Sequence, residues 1–132
     1  MTDASPLSRI RAIDYSIIFA RDMPAMRRFY EEVMRFPIEK VLYEGWVEYR
    51  VGSNILALAY KTVNPDDAPT PQGAAGLQLA FRVAPADVDA CAAALEQAGV
   101  AIVQPPTDQA WGHRTLFFRD PDGNLLEIYA DI

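Results

Sequence analysis

The stretch at positions 111–130, WGHRTLFFRDPDGNLLEIYA, decides how this chain folds. Two apolar runs flank Asp120-Pro121-Asp122-Gly123-Asn124. Those residue types supply the positive φ and the side-chain-to-backbone bonds of a tight turn. The pattern predicts a β-hairpin. Along its second strand Leu126, Ile128 and Ala130 point one way and Leu125, Glu127 and Tyr129 the other, because strand side chains alternate. The first set is wholly apolar and belongs against a core. The second holds a carboxylate between two apolar neighbours, and such a group is solvated, paired, bound to a metal or at work. The question of function therefore centres on Glu127.

Working outward, residues 1–9 form an N-terminal tail and residues 13–20 (IDYSIIFA) a strand. Asp22 is placed to cap a helix, and Pro24 falls in its first turn, where a missing N–H does no harm. Met26, Phe29, Tyr30 and Val33 recur at helical spacing and define its buried stripe. The helix stops before Pro37, and strands follow at 38–43, 46–51 and 55–60, the last two joined by Gly52-Ser53-Asn54. Residues 62–76 (TVNPDDAPTPQGAAG) lack periodicity and form a linker. A strand at 77–83 leads to a helix opened by Pro85-Ala86-Asp87, running to about Ala98 with Gly99 as its C′ residue. A short strand at 100–103, a loop at 104–110 and the hairpin complete the chain. The organisation is βαβββ twice: module one at 10–61 and module two at 77–132, together one structural domain.

The modules also repeat in sequence. Gly52–Ala59 resembles Asp122–Tyr129 at an offset of 70, and Tyr15–Phe19 resembles Gln78–Arg82 at an offset of 63. A duplicated unit buries its apolar face against its copy, leaving the less apolar faces to line a cleft. Parity assigns to that cleft Tyr15, Ile17 and Phe19; Ala57 and Ala59; Gln78, Ala80 and Arg82; and Leu125, Glu127 and Tyr129.

Composition narrows the function. The chain has 132 residues, 51% of them hydrophobic, enough for a real core without disulfides. It has no apolar run of transmembrane length, and MTDASPLSR holds no hydrophobic signal core. The single cysteine, Cys91, excludes an internal disulfide and points to a reducing cytoplasm. In its Ala-rich helix it is a small packed residue rather than a nucleophile. The net charge of −6 argues against nucleic acid and anionic membranes and suits a neutral or cationic small ligand.

IDYSIIFARDM with the following RRFYEEVMRF, GLQLAFRV before DVDACAAALEQAGV, and FRDPDGNLLEIYA together resemble the vicinal oxygen chelate superfamily. That superfamily includes glyoxalase I, extradiol dioxygenases and bleomycin-resistance proteins. The resemblance implies an α+β fold in which paired βαβββ modules form an open cupped mixed sheet with helices outside. It also implies a homodimer with the cup near the subunit interface. In metal-dependent members the ligand positions fall on Tyr15, Ala57, Gln78 and Glu127 of this sequence. Only Glu127 is a usual ligand type; Gln78 could lend a carbonyl oxygen, Tyr15 is a poor ligand unless ionised, and Ala57 has no donor. A catalytic metal needs about three good ligands. No cofactor is expected, and a divalent metal, if held, would use Glu127 and Gln78.

Several residues keep two readings. Glu127 pairs with Arg82 or Arg114, or recognises a cationic or hydrogen-bonding group, or acts as a general base. Tyr15 and Gln78 bond each other, directly or through water, or orient a ligand. The lone His113 packs a loop or serves as an acid or ligand, and Arg114 could clamp a carboxylate or phenolate. Trp46, Tyr49 and Trp111 are core or cup lining, with Trp111 the lid candidate. The catalytic set is Glu127, Arg114 and Tyr15. The ligand-binding set is Tyr15, Phe19, Ala57, Gln78, Arg82, Trp111, His113, Leu125, Glu127 and Tyr129.

Three function classes follow. The first is a metal-free small-molecule binding protein resembling the bleomycin-resistance branch, taking an aromatic or cationic ligand. The second is a glyoxalase-like lyase or isomerase, or a dioxygenase. The third is a partner-binding module whose cup is filled by its own side chains.

Overall fold

The computed structural model describes residues 5–62, 64, 66–68, 71 and 76–132. The expected tail at 1–4 and linker positions 63, 65, 69, 70 and 72–75 lie outside the described residues. Pro6–Arg9 forms an exposed 3-10 turn capped by the Ser5 hydroxyl.

Module one runs β1 (Tyr15–Phe19), α1 (Met23–Arg28), a π-helical turn (Phe29–Val33), β2 (Ile38–Tyr43), β3 (Trp46–Val51) and β4 (Asn54–Ala59). Module two runs β5 (Gln78–Arg82), α2 (Asp87–Gln97), β6 (Ile102–Asp108), β7 (His113–Arg119) and β8 (Leu125–Asp131). Each forms a four-stranded mixed sheet, ordered β1-β4-β3-β2 and β5-β8-β7-β6, with the first and last strands of each module parallel. This is the α+β architecture expected from the two repeats. β1 and β5 are the residue-for-residue copies predicted by the offset of 63.

Local chemistry sets the boundaries. The Asp22 carboxylate accepts the Ala25 N–H at 3.1 Å, as an N-cap does. Gly99, with φ +81°, stands at the C′ position after α2. Two features depart from the sequence reading. The regular helix expected up to Pro37 widens at Phe29, where the Met34 N–H donates to the Phe29 carbonyl five residues back at 2.9 Å. This π-turn keeps adjacent Phe29 and Tyr30 both buried. The expected loop at 104–110 is largely strand, since β6 continues through Pro105 and Pro106. It can do so because β6 is an edge strand and its register slips between Gln104 and Thr107. Prolines without an N–H are tolerated at such places.

One core serves both modules. Ile18, Leu56, Leu58, Val47 and Tyr49 from sheet one and Leu116, Phe118, Leu126, Ile128 and Ala130 from sheet two join the buried sides of α1 and α2. Across the seam, Phe29 meets Phe118 with ring centroids 6.4 Å apart, and Phe36 meets Phe81 at 5.6 Å. The hairpin turn locks the same seam. Asp120 accepts the Tyr30 hydroxyl at 2.8 Å, and Asp122 accepts the backbone N–H groups of Arg21 and Asp22 at 2.6 and 3.2 Å. Packing one face of each sheet on this core leaves the opposite faces outside it.

Candidate functional site

Residues opposite each other across an antiparallel pair share a face, so strand register defines the two concave surfaces. In module two, β5 contributes Gln78, Ala80 and Arg82, and β8 contributes Leu125, Glu127, Tyr129 and Asp131. β7 adds His113, Thr115 and Phe117. The Glu127 carboxylate faces Phe117 and Ala80 and accepts a hydrogen bond from the Gln78 amide at 3.4 Å. At the far end of the sheet four groups interlock. The His113 ring lies 4.6 Å from that of Tyr129, and its Nε2 sits 3.2 Å from Asp131 Oδ1. Arg82 pairs with Asp131 while its guanidinium carbon lies 5.0 Å from the Tyr129 ring centre.

In module one, β1 contributes Tyr15, Ile17 and Phe19, β4 contributes Ile55, Ala57 and Ala59, and β3 contributes Trp46, Glu48 and Arg50. Ala57 and Ala59 are buried, yet they lie on the face away from the core. Tyr15, 48% exposed, meets Trp46 edge-to-face with centroids 6.5 Å apart. The Trp46 indole N–H donates to Glu48 Oε2 at 2.8 Å.

The structure corrects one nomination and decides two readings left open. Arg114 does not face the cup: it lies opposite core residue Ala130, and its guanidinium bridges Asp89 on α2 at 2.9 Å and Asp108 on β6 at 2.8 Å. The phase of β7, not the residue type, removes it from a catalytic set with Glu127 and Tyr15. Neither Arg82 nor Arg114 pairs with Glu127, because Asp131, Asp89 and Asp108 hold them. Tyr49 is core, its hydroxyl donating to Glu31 Oε2 at 2.7 Å; burial, then the Glu31 contact, push its pKa up. Cys91 is half-buried, and burial followed by the Asp87 charge raises its pKa, which keeps it a thiol.

The remaining nominees are distributed between the two faces. Phe19 and Ala57 lie with Tyr15 on module one; Gln78, Arg82, His113, Leu125, Glu127 and Tyr129 lie on module two. Trp111 stands in the turn before β7, 64% exposed. Glu48 and Asp131 were missed. The alternation of Trp46, Glu48 and Arg50 against Val47 and Tyr49 carried the signal for Glu48, since only the inward set is apolar.

The donor chemistry does not fit a divalent metal at the four positions named from the resemblance. Ala57 has no donor atom, Tyr15 offers a phenol, and Gln78 offers only a neutral amide oxygen, which leaves Glu127 as the one usual ligand type. Among the described residues, no three His, Cys, Asp or Glu side chains come together to hold an ion.

A groove of about 560 Å³ opens where the modules meet, lined by Ser16, Asn54, Ile55, Ala80, Arg82 and Tyr129 among others. No helix of the described residues is long and apolar enough to cross a membrane.

Known proteins share this arrangement. The family model described as the glyoxalase/bleomycin resistance protein/dioxygenase superfamily matches residues 12–128. YaeR, an uncharacterized protein of Escherichia coli (strain K12), is 28% identical over 126 residues, covering 91% of this chain and 96% of YaeR. Virulence protein STM3117 of Salmonella typhimurium is 30% identical over 128 residues, covering 90% of this chain and 83% of its own. Its crystal structure superposes with a TM-score of 0.72 at 28% identity, covering 93% of this chain and 98% of that one. A glyoxalase/bleomycin resistance protein/dioxygenase from Nocardioides shares the fold, with a TM-score of 0.77 at 23% identity, covering 99% of this chain and 87% of that one. The chain belongs to the glyoxalase/bleomycin resistance protein/dioxygenase superfamily.

Proposed function

We propose that this protein binds an aromatic or cationic small molecule on its concave sheet faces without a metal, in the manner of the bleomycin-resistance branch. One observation carries the reading. Each face holds a carboxylate, Glu48 or Glu127, whose hydrogen bond comes from a neutral side chain while the nearby arginines are engaged elsewhere. A partly buried carboxylate without a basic partner favours a ligand that supplies positive charge or hydrogen-bond donors. The aromatic side chains Tyr15, Trp46, Phe117 and Tyr129 beside them suit a planar or apolar body.

The protein acts as a homodimer in this reading. Among the described residues β1 and β5 each have one edge without a partner strand, and Tyr15, Phe19, Val41, Leu42 and Tyr43 are exposed nearby or on β2. The single cysteine suits a reducing cytoplasm. A catalytic reading of the same site keeps Glu127 as general base, Gln78 holding its carboxylate in place.

Thermal unfolding with a panel of aromatic and cationic compounds tests the proposal. A ligand at a hundred times its Kd raises stability by about 2.7 kcal/mol, a saturable rise in Tm. No shift from any class would sink the binding reading. Turnover that Glu127→Gln abolishes without loss of fold would convert it to the catalytic one. Retention of about one metal per subunit after desalting would overturn the metal-free clause, and a monomer in sedimentation would remove the dimer.

A further inference from the structure

Resting on that binding reading, the inference concerns the chemistry of one subsite. We propose that the concave face of module one is a site for an organic cation, walled by the Trp46 and Tyr15 rings and neutralised by the Glu48 carboxylate.

The argument starts at β4, which sets Ile55 beside Tyr15 and beyond it offers only the methyl groups of Ala57 and Ala59 to this face. β1 and β3 flank it with larger side chains, which cover the two alanines so that the accessible surface of this face is that of the Tyr15 and Trp46 rings and Glu48. Across this face the Tyr15 and Trp46 ring planes stand at 78°, with centroids 6.5 Å apart. Two rings at nearly right angles open onto a common corner, and aromatic faces carry the negative part of the quadrupole. A cation within about 6 Å of such faces is attracted, most strongly to Trp.

Glu48 adds two things. Its acceptance of the indole N–H at 2.8 Å holds the Trp46 ring in its orientation. It also brings a negative charge beside the ring, with no Arg or Lys of the described residues bonded to it: Arg50 on the same strand is taken by Glu39, and Lys40 stands opposite Glu48 in the β2–β3 register without forming an ion pair. The protein's net charge of −6 adds a long-range pull on cations.

The second module serves as an internal comparison. At the positions that correspond to Tyr15, Glu48 and Trp46 by repeat and register it carries Gln78, Phe117 and Thr115. At those positions it has no aromatic pair: its rings, His113 and Tyr129, lie 32° from parallel with Arg82 already over Tyr129, and its unpaired carboxylate stands on the fourth strand, as Glu127. The corner is therefore peculiar to module one. π-faces recognise charge without needing hydrogen-bond donors, so the fitting class is an alkylated ammonium group rather than a primary amine or a metal ion.

Choline and its neutral carbon isostere 3,3-dimethylbutan-1-ol test this directly. Isothermal titration calorimetry, with tryptophan fluorescence as a second readout, should show saturable choline binding about tenfold or more tighter than the isostere. Trp46→Leu and Glu48→Gln should each weaken it about tenfold, while Glu96→Gln, the same charge change on exposed α2, leaves it unaltered. Circular dichroism confirms that each variant is folded, and Glu48→Gln keeps the test valid should Trp46→Leu fail to fold. Equal affinity for the isostere would overturn the proposal, as would loss of binding in Glu127→Gln but not in Glu48→Gln. Choline binding that appears only in Lys40→Met would assign the corner to the chain's own ammonium and also overturn it. If choline fails while neutral aromatic compounds stabilise the protein, the cation site falls and the broader binding reading stands. If compounds of every class fail, both fall.

Discussion

Tyr30 shows how one buried side chain couples pH to stability. Its hydroxyl donates to Asp120 at 2.8 Å, joining α1's π-turn to the module-two hairpin. Burial first, and the Asp120 charge next, hold its pKa well above 10.0; Tyr49 is raised by burial and by Glu31. A raised folded pKa means the unfolded chain loses its proton first. The associated stability is complete below about pH 10 and is lost as pH rises through the folded values. Unfolding midpoints measured from about pH 8 to 11 should therefore fall steeply above pH 10. Tyr30→Phe should lower the neutral-pH stability by about 1–2 kcal/mol through the lost hydrogen bond and flatten the alkaline slope. An unchanged slope in that variant would show that Tyr30 is not the group responsible.

At the scale of elements, the hairpin turn at 120–124 does more than reverse the chain. Asp120 Oδ1 accepts the backbone N–H groups of Asp122 and Asn124, and Oδ2 accepts the Asn124 amide and the Tyr30 hydroxyl. Asp120, Asp122 and Asn124 are all buried. Asp120→Ala would leave several buried donors without acceptors, a cost of about 3–5 kcal/mol. Chemical denaturation should show that loss, whereas Asp66→Ala, an exposed carboxylate outside the strands, should stay within about 0.5 kcal/mol of the parent. A small effect at Asp120 would mean that water replaces the carboxylate there.

For the whole molecule, the shared core predicts that the two modules unfold as one cooperative unit. Phe36 of module one packs against Phe81 of module two and stacks with Tyr30. Phe36→Ala should lower stability by about 2–4 kcal/mol, somewhat less for a half-buried ring than for a fully enclosed one. Calorimetry should still record a single transition with a lower Tm. Two separated transitions in the parent protein would show that the modules unfold independently.

Much of this was legible without coordinates. The alternation around Glu127, the helical stripe of Met26, Phe29, Tyr30 and Val33, and the Asp22 cap are local properties, set within a few residues by periodicity and backbone chemistry. The two repeat offsets extended that local reading to the whole architecture. Tertiary structure decided the partners. The phase of β7 turned Arg114 toward the helix side, where Asp89 and Asp108 hold it, and Asp131 took Arg82, leaving Glu127 to Gln78. β6 ran through two prolines because it is an edge strand. Tyr15 met Trp46 through strand pairing distant in sequence. Ion pairs and aromatic corners depend on which long side chains reach each other across strands. Their choice is made by packing and register, which pattern along the chain does not encode.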